Sequence, residues 1–379
     1  MKQRLMTPGP TPVPEETLLE LARPVPHHRT AEFRQTLTEA LEDLKYVYQT
    51  KHPVVPLTCS GTGGMEAALV NCVPRGSKAL CLIAGRFGAR WKSLCQAFGV
   101  EPIVVEVPYG QSVQPAQLEQ ALKQHGDAAA VCTTLSETST GAAHNIAAFG
   151  KLVKDTPAVL LVDAISGLGA MEFRNDDWHV DVCVTGSQKA LMMPPGLAFL
   201  TLSPKASEKI DKNGQPPTFY FDLKKAREKA KTPDTPYTPA HTLIRALRVS
   251  LARIRTEGIE NLWARQARTA RAARAGVQAM GLELFPERPA DGLTVAKVPA
   301  GIDGADLLIR LEKKYGYKVA GGQDTLKGKI IRLAHMGYID HFDIMGALSA
   351  LELVLLDVGV KLAAGAGVAA AQQELARTR

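Results

Sequence analysis

Short apolar runs alternate with amphipathic stretches through the first two hundred residues of this chain. Val54–Leu57, Ala79–Ile83, Pro102–Val107, Ala128–Thr134 and Val159–Val162 read as buried strands. Between them, Phe87–Phe98, Gln114–His125 and Ile146–Lys154 repeat their apolar positions at helical spacing. Strands that are apolar throughout, separated by helices, predict a mostly parallel sheet covered by helices on both faces. A further run through Val180, Val182 and Val184 continues the rhythm. Beyond Leu200 the pattern changes. Residues 203–241 are rich in Pro, Lys and Asp and read as irregular, and a long arginine-bearing helix follows from about Thr242 to Met280, broken near Gly258. The rest predicts a smaller α+β unit, with strands at Gly292–Val298 and Lys329–Ala334 and helices at Asp303–Lys314 and Phe342–Val358.

Both ends stand apart. Residues 7–14 hold four prolines, which remove backbone donors, so the segment reads as an extended arm. A short helix from Pro14 and a longer one after His27-His28-Arg29-Thr30, running through Tyr48, follow the arm. From Ala363 the sequence is Ala- and Gly-rich, then polar, as in a frayed helix or a disordered tail. The expected fold class is therefore α/β, with an arm over 1–25, a large domain over 26–260, a small C-terminal α+β domain over 261–362 and a tail over 363–379.

Composition narrows this picture modestly. A hydrophobic content of 45% with 22% charged residues is that of an ordinary globular protein, and a net charge of +7 is small for 379 residues. The basic stretches at 224–231 and from Arg245 to Arg274 lack interleaved aromatics, so they read as solvated helix faces and not as a nucleic-acid surface. Six cysteines stand singly without metal-ligand spacing, as buried thiols of a reducing cytoplasm do. Met1-Lys2-Gln3-Arg4 leads into Pro-rich sequence and no apolar run approaches 18 residues, so neither a signal peptide nor a membrane span is expected. Packing or capping explains His27 and His28 better than a metal.

Candidate chemistry gathers at strand ends. Ser60-Gly61-Thr62-Gly63-Gly64 joins a strand to a helix, where free backbone N–H groups and the helix dipole favour a phosphate. It lacks both the nucleotide P-loop lysine and the dinucleotide fingerprint, which points to a phosphate of another kind. The run at Val159 ends in Asp163, and the run through Val184 leads into Gly186-Ser187-Gln188-Lys189 before a Pro-Pro-Gly turn. Neighbouring strands would bring Asp163 and Lys189 to one sheet edge, where open α/β sheets bind ligands. A lysine that carries an aldehyde as a Schiff base and an aspartate that keeps a ring nitrogen protonated suit pyridoxal 5'-phosphate. A buried Lys–Asp ion pair, or an aspartate capping the next helix, would explain the same residues. Phe87 could stack on a planar ring or belong to the core. Arg332, a charge within an apolar strand, needs a carboxylate from the protein or from a substrate.

Taken together these motifs resemble one family, the class V aminotransferases of the fold-type I pyridoxal-phosphate enzymes, in the alanine/serine–glyoxylate branch. The ordered matches are Thr7-Pro8-Gly9-Pro10-Thr11-Pro12, Ser60-Gly61-Thr62-Gly63, Glu137-Thr138-Ser139-Thr140-Gly141, Asp163-Ala164-Ile165-Ser166, Gly186-Ser187-Gln188-Lys189, Thr235-Pro236-Tyr237-Thr238-Pro239 and Arg332. The resemblance implies that Lys189 holds the cofactor and shuttles the proton, and that Asp163 pairs with the ring nitrogen. It implies that Phe87 stacks on the ring, Thr138 sits near its hydroxyl, and Gly61, Thr62 and Gln188 hold the phosphate, with Gly63 and Ser166 in the same cofactor-binding motifs. Thr238 would reach the phosphate of a neighbouring subunit in a homodimer, Arg332 would grip the substrate carboxylate, and Gly9 would line that pocket. The implied reaction moves an amino group from alanine or serine to a 2-oxo acid such as glyoxylate or pyruvate, in the cytoplasm. Two other readings stay open: a cysteine desulfurase, although residues 316–331 hold no cysteine, and a non-catalytic subunit of a larger complex.

Overall fold

The computed structural model describes residues 2–214 and 216–377; the last two residues of the tail lie outside it. Its strands begin with β1 (Arg4–Leu5), β2 (Val54–Leu57), β3 (Lys78–Ile83), β4 (Glu101–Glu106), β5 (Ala130–Thr134), β6 (Ser136–Glu137) and β7 (Ala142–Ala143). There follow β8 (Val159–Asp163), β9 (Val182–Gly186), β10 (Ala198–Thr201), β11 (Leu293–Lys297), β12 (Tyr317–Lys318), β13 (Ala320–Gly321) and β14 (Ile330–Ala334). The helices start with α1 (Glu15–Leu21), α2 (Ala31–Tyr48), α3 (Gly61–Cys72), α4 (Arg86–Ala97), α5 (Pro115–Gln124), α6 (Ile146–Val153) and α7 (Pro204–Lys212). The remainder are α8 (Leu223–Ala230), α9 (His241–Glu257), α10 (Ile259–Ala279), α11 (Gly304–Tyr315), α12 (His341–Asp357) and α13 (Ala366–Arg377).

Seven strands form the central sheet in the order β2-β10-β9-β8-β5-β3-β4. The pairs among β9, β8, β5, β3 and β4 are all parallel, and only β10 runs against its neighbours. Strands β5, β8 and β9 are buried at every position, as their unbroken apolar runs require, with a hydrophobic cluster on each face of the sheet. A three-stranded antiparallel sheet, β11-β14-β13, packs with α10 to α13 around a separate cluster. The arm joins that region through β1, which pairs in parallel with β12. No helix among the described residues is long and apolar enough to cross a membrane.

The long helix expected beyond Thr242 is indeed two, divided where Gly258 takes φ +85°. Two expectations need correction. The stretch 203–241 is not irregular throughout, because Ser203 and Asp222 each accept a backbone N–H and start α7 and α8. The tail is not frayed within the described residues. Its glycine and alanine content lets α13 lie close on α10, where a Cβ on Gly367 would come within 2.8 Å of the Gly276 carbonyl. The buried Glu352 carboxylate accepts N–H bonds from Gly365 at 3.1 Å and Gly367 at 2.5 Å, anchoring the helix start. Glu352→Ala strips both amides of their acceptor. The expected loss of about 1–3 kcal/mol is read from the urea unfolding midpoint, and an unshifted midpoint would refute the anchor.

Candidate active site

Parallel register sets Asp163 opposite Val184, so the ends of β8 and β9 release their loops at the same edge of the sheet. There Asp163, Gln188 and Lys189 face one hollow of about 100 Å³. The start of α3 closes one side with Gly61 and Thr62, while α4 contributes Phe87 and Arg90. Ser136, Thr138 and Ser166 complete the wall, from the loops that follow β5 and β8. Expected residues more than a hundred positions apart thus share one cavity.

Burial governs the two charged groups. It pulls the Lys189 amine down to about 8; Asp163 opposes this, while Arg332 and Arg90 add repulsion. It pushes the Asp163 carboxyl up to about 7, against the N–H bond from Ile165 at 2.9 Å and the attraction of Arg90 and Lys189. An ion pair alone would move each group the other way; here lost hydration outweighs their mutual attraction. Both groups therefore change protonation near neutral pH, where proton transfer is most useful.

The arm closes over the lysine. Lys189 Nζ donates to the Pro8 carbonyl, and the Thr11 hydroxyl donates to the Lys189 carbonyl at 2.8 Å. Gly9, at φ +117°, lies so close that a Cβ there would stand 2.2 Å from Lys189 Nζ, so a larger residue would strain the backbone and push the lysine side chain aside. Arg332 is buried on β14, with Nε donating to Gly321 O at 2.7 Å and Nη1 to Thr138 O at 3.0 Å. Burial brings its guanidinium down to about 10, partly offset by Glu137.

Two residues of this site escaped sequence reasoning. Arg90 donates to Thr62 Oγ1 at 2.9 Å and lies 4.9 Å from the centre of the Phe87 ring, linking the start of α3 to an aromatic face. Its signal was faint: a cation one helical turn beyond Phe87. Glu137 is fully buried and accepts from the backbone of Phe87, Gly88 and Ser139, so it fixes the loop that presents the ring. Two expected residues lie elsewhere. Gly63 backs onto Cys59 and Phe221, and Thr238 lines a different hollow with Pro56, Thr58 and Tyr220.

The hollow has a polar end and an aromatic side. Ser60 gives the start of α3 no side-chain cap, and with Gly63 and Gly64 donating to the Ser60 carbonyl it is the leading amides of Gly61 and Thr62 that could meet an anion beside Arg90. Gln188 Oε1 and Ser136 Oγ are buried there without a protein partner. A cofactor that is at once a phosphate ester, a pyridine and an aldehyde would use the helix start, the carboxylate and the amine together. With the parallel sheet behind it, this defines a pyridoxal-phosphate enzyme of fold type I.

The chain belongs to the class V aminotransferases: residues 19–339 match the family described as Aminotransferase class-V. It is 37% identical to the L-aspartate–glyoxylate aminotransferase of Paracoccus denitrificans, over 99% of this chain and 96% of that one. It is 39% identical to a protein named soluble hydrogenase, small subunit, of Synechococcus sp. PCC 6716, over 99% and 98%. Its fold superposes on pyridoxamine-pyruvate aminotransferase from Mesorhizobium loti with a TM-score of 0.95 at 29% identity, covering 100% and 98%. The protein is an aminotransferase, and its cofactor is pyridoxal phosphate.

Proposed function

We propose that the enzyme moves the amino group of a small amino acid, alanine or serine, to a 2-oxo acid such as glyoxylate or pyruvate. The observation that carries this is a buried amine and a buried carboxyl facing one hollow, with a buried arginine bonded to its rim. Pyridoxal phosphate supplies the electron sink that makes a proton on the substrate α-carbon removable. Lys189 would hold the cofactor aldehyde through its amine, and the same Nζ, buried and lowered to about 8, would take up and give back the proton of the substrate α-carbon. Asp163 holds the proton on the ring nitrogen, and Phe87 offers its face to the ring. Gly61, Thr62, Ser166, Gln188 and Arg90 serve the phosphate end, and Thr138 the ring hydroxyl. Arg332 grips the substrate carboxylate while the arm, through Gly9, keeps water from the amine.

Thr238, set apart in its own hollow, serves the site of a second copy, so the active unit is a homodimer in the cytoplasm. The body before residue 260 holds the cofactor, and the body after it brings Arg332. Glyoxylate as acceptor is supported by the Paracoccus relative, whose name carries it.

The test is a half-reaction. Protein reconstituted with pyridoxal phosphate is yellow; L-alanine or L-serine should bleach it, and glyoxylate or pyruvate should restore the colour. Sulfide released from cysteine would point instead to a desulfurase. No bleaching with any amino donor would favour the non-catalytic subunit that the hydrogenase-named relative suggests. In the same assay Arg332→Ala should raise the KM for the amino acid roughly 10- to 100-fold and slow turnover, since hydrogen bonds to a charged group are worth about 1.5–3 kcal/mol. An unchanged KM would remove Arg332 from the substrate site.

A further inference from the structure

A third arginine stands beyond the machinery described so far. Arg86 opens α4 immediately before Phe87, and its backbone N–H donates to Ser139 Oγ at 3.0 Å. Ser139 follows Thr138, whose carbonyl holds Arg332. The Arg86 guanidinium meets Asp324 at 3.3 Å, with both side chains about half exposed at 45% and 51%. Asp324 begins a short turn at φ +50°, three residues beyond the Gly321 carbonyl that holds Arg332 Nε. One loop thus restrains the buried arginine and places a carboxylate on the exposed one.

The two guanidiniums repel, and Arg86 contributes to the lowered proton affinity of Arg332. Around them stand Asp324, the buried Glu137, and Tyr109, whose hydroxyl is raised by burial and then by Glu137 and Asp324. Holding one cation beside another is unfavourable unless anions lie between them. Glu137 is committed to backbone amides, so Asp324 is the carboxylate on Arg86. An exposed pair of this kind is weak and easily exchanged. A planar guanidinium is well matched to a carboxylate arriving from a ligand.

We propose that Arg86 is a specificity-determining residue that reads a second carboxylate on the amino donor. The site then takes an aminodicarboxylic acid such as aspartate, and Asp324 occupies Arg86 when the donor has no second carboxylate. The donor's α-carboxylate goes to Arg332 and its distal carboxylate displaces Asp324. This rests on the transaminase reading above and adds a substrate class to it.

The experiment compares kcat/KM for L-aspartate and L-alanine in the holoenzyme, in Arg86→Gln and in Asp324→Asn. Arg86→Gln should lower the aspartate-to-alanine ratio by about 10-fold or more, through the KM for aspartate. Asp324→Asn should raise that ratio by removing the competing carboxylate. Calorimetric titration with maleate and with propionate supplies a readout without turnover, and Arg86→Gln should weaken maleate selectively. Equal losses for both donors, or a maleate affinity indifferent to Arg86, would overturn the proposal. So would an enzyme that turns over alanine but not aspartate. If no donor reacts at all, the transaminase reading falls, and maleate binding alone decides the role of Arg86.

Discussion

Lys189→Ala is expected to lower kcat by at least about 10³-fold, the upper part of the range for a positioned proton-transfer group, and to remove the covalent anchor of the cofactor as well. Phosphate-end contacts from α3 and Arg90 remain, so the variant should still bind pyridoxal phosphate, but as a free aldehyde that dialysis strips away. A single-turnover experiment with pre-bound substrate separates the two losses. Cofactor-free protein supplies a second readout. The amine falls from 10.5 to about 8 on folding, mainly through burial. The folded state therefore carries the cost of a buried charge at every pH below 8. Between pH 8 and 10.5 the unfolded chain holds more protons, so stability rises with pH; above 10.5 the cost has gone. Lys189→Met, which fills the space without a charge, should lack that rise and be more stable at pH 7 by about 1–3 kcal/mol. The unfolding midpoint across pH 7–10.5 checks this, and parallel curves for wild type and variant would mean that the amine is solvated.

How far the sequence led depended on whether a feature was local. Strands β3, β5, β8 and β9 could be read because strands buried on both faces admit only apolar side chains, and Asp163 and Lys189 stood out as charges just past such runs. That those two share a hollow follows from parallel neighbours, a topology the βα rhythm already implied. Arg90 and Glu137 could not be weighed in this way. The value of each comes from partners brought near by folding: Thr62 and Phe87 for one, a turn of backbone amides for the other. The tail misled because glycine and alanine are common both to disordered segments and to helices packed at very short distance, and only Gly276 across the gap distinguishes the cases. Caps decided 203–241, where Ser203 and Asp222 start helices whose composition alone reads as loop. Thr238 was placed by resemblance alone, and in this chain it lines a separate hollow.

Asp163→Asn is the second large effect: a fall in kcat of roughly 10²–10³-fold, as when a preorganised electrostatic contact is removed from an active site, with Lys189 still present to anchor the cofactor. An amide cannot hold a proton on the ring nitrogen, so the ring withdraws electrons less strongly from the substrate α-carbon. The variant should remain yellow yet bleach slowly with amino acid, the reverse of Lys189→Ala. The pH dependence has a fixed sign. Burial raises the carboxyl from 3.8 to about 7. In cofactor-free protein the folded state thus keeps a proton that the unfolded chain has released between pH 3.8 and 7. Its stability falls as pH rises through that window, by at most about 4 kcal/mol, and no further above 7. Asp163→Asn removes that slope. Cofactor binding runs the other way, because the carboxylate must be ionised to pair with a protonated ring. Affinity for pyridoxal phosphate should therefore climb from pH 6 to 8 in the wild type, and this carboxylate-dependent rise should be missing in the variant. If both proteins gained affinity in parallel, the climb would belong to the phosphate or to Lys189, and Asp163 would be no more than the cap on the turn to Ile165.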